Sequence, residues 1–317
     1  MLDILTLTIP FFTIIFLGSF FRNLGLFNED AGRILARFAF FVVLPPFMFL
    51  SITSRPLTEA FNFGFIVRYE IVTILIFLLG ILVSKKFLFL RKNEAAIFAL
   101  NGVYPNYGYI GVPLCLLVFG TEAAVPIALI LVVDTLVLLT LTNFFIQKDG
   151  KDNLYQIILN IFLSMLKNPL LLSVIAGLLF SAAGLNLPKI PNILFELLAG
   201  AAAPTALFAL GITLVGQPVM SAKLELGLLV SFKLALHPIL TVAIFYLGSV
   251  LFGGEIEILW IKVAILFSCL PIAANVFSLS EFYSAYIGRT ATAIMLTTII
   301  ASLSVPITLF IISLIFT

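Results

Sequence analysis

Residues 101–114 read NGVYPNYGYIGVPL. The stretch lies inside a long apolar run, yet it carries two asparagines, three tyrosines, three glycines and two prolines. A segment crossing lipid must satisfy its own backbone hydrogen bonds, because the hydrocarbon core holds no water to do so. Pro105 has no N–H and clashes with the preceding helical turn, and Gly102, Gly108 and Gly111 leave helical geometry readily. The stretch therefore predicts two half-helices joined by a short extended piece near mid-membrane. Gly108 and Gly111 are expected to let the chain turn back into a helix.

The composition around it makes lipid the expected solvent. Of 317 residues, 62% are hydrophobic and 10% charged, against roughly a quarter charged in soluble domains. The net charge is +2, and Lys and Arg fall between apolar runs rather than in one patch, which argues against a nucleic-acid partner. One histidine and two distant cysteines, Cys115 and Cys269, predict free thiols and no metal cluster or cofactor. The N-terminus has Asp3 in place of a basic region and no small-residue cleavage site, so it reads as a first membrane helix.

With about 20 apolar residues needed per crossing, ten spans are expected: 4–21, 33–53, 63–84, 95–118, 122–146, 166–184, 193–216, 226–251, 256–281 and 288–315. If the first loop is cytoplasmic, that side holds Arg22, Arg33, Arg37, Lys85, Lys86, Arg91, Lys92, Lys148, Lys151, Lys167, Lys223 and Arg289. The other side holds Arg55, Lys189 and little else. The positive-inside bias then predicts an integral plasma-membrane protein of bacterial type with both termini facing away from the cytoplasm.

The spans split five and five. Residues 1–146 form one expected repeat and 166–317 the other, around a hydrophilic linker at 147–165. Pro46 pairs with Pro204 at an offset of 158 residues, and Pro105 with Pro271 at 166. Five spans per half force opposite orientations, and interrupted spans at matching positions point to an inverted-repeat transporter with spans four and nine crossing at their breaks. Half-helix N-termini there suit a carboxylate. The side chains of Asn101, Asn106 and Asn275 suit a hydroxyl or a cation.

Ionisable groups inside spans are costly and are functional candidates by default. Asp134 lies near the middle of span five. Glu70 lies in span three, two residues from Arg68 and on a different helix face; for Arg68, snorkelling to the interface is the plain expectation. Lys233 and His237 share one face of span eight, where Lys233 either snorkels, draws an anion toward the breaks, or pairs with an acid across the bundle. Ser173, Gly177 and Ser181 recur every four positions, as in close helix packing.

PNYGYIGVPL followed by LLVFG resembles the auxin efflux carrier family, whose bacterial members include malonate- and malate-permease-like proteins. The first-half motif is carried by Asn106, Gly108, Tyr109, Ile110, Gly111 and Pro113, and the Pro-Asn pair shared with plant PIN carriers by Pro105 and Asn106. The second-half pattern falls on Leu270, Pro271, Phe277, Tyr283, Thr297, Thr298 and Pro306, and span eight adds Lys233 and Pro238. Where relatives often have Ala-Lys before the tyrosine of span nine, this chain has Ser280 and Glu281.

The resemblance implies an all-α membrane protein of ten helices in a five-plus-five inverted repeat. Spans one, two, six and seven would form a scaffold, with a homodimer face. Spans three to five and eight to ten would form a moving elevator unit. It implies a secondary active or facilitative carrier of a small organic anion, auxin-like or a dicarboxylate. The expected substrate set is Asn101, Tyr104, Pro105, Asn106, Tyr107, Gly108, Pro271 and Asn275. Asp134, Lys233, Glu70 and His237 form the coupling or charge set, with the proton and sodium both open as coupling ion. The chain carries no nucleotide-binding motif, and the residue sets of intramembrane proteases are missing, so no enzyme is expected. A sensor or channel on the same fold is the alternative.

Overall fold

A computed structural model describes residues 2–54, 62–146, 166–216, 220–252 and 256–316, together with Tyr155, Leu159 and Leu163. Apart from those three residues, the expected linker at 147–165 lies outside the described residues, as does Arg55. Every described regular element is helical except one isolated bridge between Pro105 and Ile272. The helices are α1 (Leu2–Asn23), α2 (Glu29–Thr53), α3 (Phe63–Lys86), α4 (Lys92–Val103), α5 (Tyr107–Phe119) and α6 (Thr121–Ile146). They continue as α7 (Pro169–Ala182), α8 (Lys189–Leu214), α9 (Lys223–Val250), α10 (Ile258–Ser268), α11 (Asn275–Phe282) and α12 (Ile287–Ile315).

Asparagine caps set three of the starts. Asn28, Asn62 and Asn168 accept hydrogen bonds from the first-turn N–H groups of α2, α3 and α7, satisfying donors that lack helical partners. Seven described helices, α1, α2, α3, α6, α8, α9 and α12, are long and apolar enough to cross a membrane. Expected spans four and nine are each two helices, α4 with α5 and α10 with α11, and expected span six is the shorter α7. Large side chains such as Ile9, Phe20, Leu82, Leu303 and Ile307 point outward, a surface that suits lipid contact.

Three helices widen to π geometry, at Ala39–Val43, Tyr107–Gly111 and Phe232–Leu236. Each π turn ends two residues before a proline: Pro45, Pro113 and Pro238. A proline ring clashes with the carbonyl four residues earlier. Those carbonyls belong to Phe41, Tyr109 and Leu234, each in the middle of its π turn, where the wider winding relieves the clash. The bonding follows: Leu44 N–H reaches the Ala39 carbonyl and His237 N–H the Phe232 carbonyl, five residues back in both. Helix α2 thus runs on through Pro45 and Pro46, and Pro204 sits inside a continuous α8.

The chain divides into two compact units. One comprises Met1–Phe61, Tyr107–Leu131 and Met165–Gly216; the other comprises Asn62–Asn106, Val132–Ser164 and Gln217–Thr317. In the first, α1 and α8 touch backbone to backbone. A Cβ on Gly18 would lie 2.2 Å from the Phe208 carbonyl oxygen, and one on Gly211 would lie against the Ile15 carbonyl oxygen. Ser19 Oγ seals the contact by donating to the Gly211 carbonyl at 2.8 Å. Gly177 of α7 faces Ile52 of α2, with its would-be Cβ 3.2 Å from the Ile52 Cβ. Gly200, in the AGAAAP stretch of α8, has nothing within 4 Å.

In the second unit, Gly80 of α3 lets Ala99 of α4 approach to within 2.8 Å of a would-be Cβ. Phe65 stacks edge-on against Phe245 of α9 and Trp260 of α10. Arg68 does not snorkel. It is 7% exposed and donates from Nη2 to the Gly248 carbonyl at 3.0 Å, and a Cβ on Gly248 would lie 2.4 Å from its Nε. At the start of α12, Tyr286 adopts φ 62° and its hydroxyl donates to Glu225, which Arg289 also contacts at 3.2 Å. Burial and that carboxylate hold the Tyr286 phenol above its ordinary range.

These contacts predict that Gly211→Ala and Gly248→Ala each lower stability by about 1–3 kcal/mol through overpacking, whereas Gly200→Ala, with open space around it inside a helix, does not lower it. Thermal unfolding in detergent reads all three. A Gly211→Ala protein that melts with the parent would contradict the α1–α8 contact.

Candidate functional site

The site is built from two interruptions in the second unit. Helix α4 ends at Val103, and Tyr104 leaves it in extended geometry (φ −72°, ψ 109°) while its N–H still reaches the Leu100 carbonyl. Helix α10 ends at Ser268; Pro271 follows, and α11 begins at Asn275. The two extended pieces pair antiparallel. Asn106 N–H donates to the Pro271 carbonyl at 2.9 Å, and Ala273 N–H donates to the Tyr104 carbonyl at 3.0 Å. Pro105 and Ile272 lie between these bonds as the bridge. A proline has no N–H to place in a ladder, and the Ile272 N–H turns instead to Thr297 Oγ1 at 3.2 Å. Each break thus supplies partners for backbone groups that the other leaves open.

The half-helix N-terminus of α11 is less open than the sequence suggests. Val276 and Phe277 donate back to the carbonyls of Ala273 and Ala274, so its first turn closes on itself and those N–H groups are taken. The breaks also present side-chain groups. Asn275 Nδ2 donates to Tyr104 Oη at 3.3 Å, and the same hydroxyl hydrogen-bonds Thr135. Asn106 is 2% exposed. Asn101 Nδ2 is shared between the Ile97 carbonyl and Thr290 Oγ1, both at 2.9 Å, while its Oδ1 is buried with no hydrogen-bond partner.

Tyr107 and Gly108 open the π turn of α5, in the first unit. Gly108 lies in the π turn with no left-handed φ, and a Cβ there would meet only Leu170 Cδ2 at 3.9 Å. Its conformational freedom is not what turns the chain back into a helix.

The four ionisable candidates gather in the second unit. Thr73 Oγ1 donates to Asp134 Oδ1 at 2.6 Å, with Asp134 fully buried. The Asp134 carboxylate acts electrostatically on Glu70, Tyr104 and Lys233. Glu70 sits one turn before Thr73 on α3, and its Oε2 is buried without a hydrogen-bond partner. Lys233 is fully buried and does not snorkel; its Nζ donates to the Ser268 carbonyl at 2.7 Å and lies within hydrogen-bond distance of His237 Nδ1, at 3.1 Å. His237 packs near the Tyr69 ring, and its Nε2 is buried without a partner. No group of three or more His, Cys, Asp and Glu placed to hold a metal occurs among the described residues.

Sequence reasoning missed Thr73, Thr135 and Thr290 and the Ser268 carbonyl. Thr73 had a signal, three residues beyond Glu70 on one helix face. The other three come together only through tertiary contacts. In the first unit, a separate cavity of about 380 Å³ is lined by residues that include Leu50, Thr53, Asn186, Asn192 and Glu196.

Comparison with known proteins bears on this arrangement. A family model described as "Membrane transport protein" matches residues 3–309. A protein of Rhizobium meliloti (strain 1021) named "Putative malonate transporter" is 33% identical over 306 residues, covering 95% of this chain and 93% of its own. "Uncharacterized transporter YfdV" of Escherichia coli (strain K12) is 24% identical over 238 residues, 73% of this chain and 74% of its own. Matched by the family model over almost its full length, the chain belongs to the membrane transport protein family, the auxin-efflux-carrier-like family its motifs resemble.

Proposed function

We propose that this chain is a secondary carrier of a small organic anion, a carboxylate of the malonate class, working by alternating access around its two proline breaks. The observation that carries the reading is the antiparallel pairing of Tyr104–Asn106 with Pro271–Ala273. Broken helices that exchange backbone bonds make a polar patch where lipid-facing backbone is forbidden, as in transporters whose interrupted helices cross. The malonate class is suggested by the name of the Rhizobium relative.

In this reading all ten expected spans cross the membrane as a five-plus-five inverted repeat, with spans four and nine crossing at Pro105 and Pro271. Scaffold helices could pair two copies. Asn106, Tyr104 and Asn275 contact the anion through side-chain donors, with Asn101 behind them. Pro105 and Pro271 shape the breaks, and Tyr107 and Gly108 lead out of the first. A site built on amide and hydroxyl donors distinguishes a carboxylate from a neutral molecule by hydrogen bonds to its oxygens. Asp134, Glu70, Lys233 and His237 set the charge against which the anion binds. Carrier and channel differ in counterflow: a carrier exchanges labelled for unlabelled substrate across the membrane, and an open pore does not.

In proteoliposomes the protein is expected to give saturable malonate counterflow, and Asn106→Ala to weaken malonate binding roughly tenfold to a hundredfold, the loss of about 1.5–3 kcal/mol for a hydrogen bond to a charged group. Uptake that never saturates and shows no counterflow would sink the carrier reading. Tyr104→Phe and Asn275→Ala share one hydrogen bond. Their effects on malonate affinity should therefore be non-additive by about 0.5 kcal/mol or more, and strict additivity would separate the two residues functionally.

A further inference from the structure

The second break leaves a carbonyl that the helix cannot use. Ser268 is the last residue of α10, and its natural partner is the N–H of Ile272, four residues on. That N–H is turned away to Thr297, while Leu270 N–H bonds Phe267 and Pro271 has none to give. An unused carbonyl at a helix C-terminus, carrying the negative end of the helix dipole, is an acceptor for a cation.

The structure fills it from a distance in sequence. Lys233 of α9, fully buried, places Nζ 2.7 Å from that carbonyl. The π turn Phe232–Leu236 carries Lys233, and one turn later His237 Nδ1 accepts from Nζ at 3.1 Å. With Lys233 as an ammonium, which has only donors, Nδ1 is the acceptor and the imidazole proton lies on Nε2. Asp134 of α6 is the carboxylate within electrostatic range of Nζ, and the Cys269 thiol lies at the same end of α10. The cation thus has a carbonyl, an imidazole and a counter-charge.

We propose that Lys233 is a tethered cation built into the second break, filling the carbonyl position that Pro271 opens and supplying the positive charge an anion meets there. The break then needs no alkali-metal ion to hold its shape or to face a carboxylate. This rests on the carrier reading for its anion, but the filling of the Ser268 carbonyl stands by itself. Lys233 is a positioning residue in this scheme, and substrate contact is not required of it.

The test uses the full chain in two formats at constant ionic strength, in chloride salts of sodium, potassium, choline and ethylammonium. Melting temperature is read in detergent without any anion substrate, and malonate counterflow in proteoliposomes. Wild type is expected to melt at one temperature in all four salts and to exchange malonate equally in sodium and in choline. Lys233→Ala should melt lower in choline and lose at least tenfold in counterflow. Ethylammonium, small enough to reach the vacated carbonyl, should restore part of both; a merely structural truncation gains nothing from a soluble ammonium.

The proposal is overturned if wild-type stability or counterflow requires sodium. It is equally overturned if Lys233→Ala matches wild type in choline, or if ethylammonium rescues nothing. Should Lys233→Ala fail to fold, the wild-type salt comparison decides alone. Absence of malonate counterflow in every salt would count against the carrier reading, while the melting temperatures would still decide the role of Lys233.

Discussion

Two backbone hydrogen bonds, Asn106 N–H to the Pro271 carbonyl and Ala273 N–H to the Tyr104 carbonyl, are the constraint on which the rest of this protein depends. A broken helix in lipid exposes donors and acceptors that water cannot reach, each at a cost of several kcal/mol. A single break would have to bury that cost in side-chain partners. Two breaks meeting antiparallel cancel much of it, and what remains is taken by Thr297, Lys233 and the folded-back first turn of α11. The prolines fit this arrangement because neither has an N–H to satisfy.

The same economy governs the charges. Asp134, Glu70, Lys233 and His237 are buried in one unit, and a lone buried charge is far more costly than a compensated one. Thr73 holds one carboxylate oxygen of Asp134, and Lys233 lies within electrostatic range of the same acid. Arg68, in the second turn of α3, is handled by backbone: the Gly248 carbonyl accepts from it, and the absence of a Cβ on Gly248 makes room. Polar chemistry is thus concentrated beside the breaks. Elsewhere, contacts such as Gly18 with Phe208 and Gly32 with Ile212 do for packing what small residues do in membrane helices generally.

Much of this was legible in the sequence because lipid leaves few options. Apolar runs placed the helices, and Pro105 and Pro271 placed both interruptions, since a missing N–H has local consequences. Asn275 and Tyr104 were expected near one another because their segments were, and they share a hydrogen bond. Local reasoning failed where a partner is distant. Nothing near Ser268 announces that its carbonyl will take Lys233, and nothing near Asn101 announces Thr290. It also misplaced the role of the glycines of YGYIG: they suggested conformational freedom, whereas Gly108 and Gly111 lie in a π turn with no left-handed φ. The expectation of open N–H groups at the start of α11 was too broad, because Val276 and Phe277 fold back onto Ala273 and Ala274 with tighter bonds.

The central claim is that the paired breaks are the place where the anion binds, and an experimental structure of the full chain with malonate bound tests it most directly. The account predicts malonate within hydrogen-bonding distance of the Asn106 side chain, with Tyr104–Asn106 and Pro271–Ala273 still joined through their backbones. Malonate seated instead in the cavity beside Asn192 and Glu196, or breaks that are not bonded to one another, would contradict it.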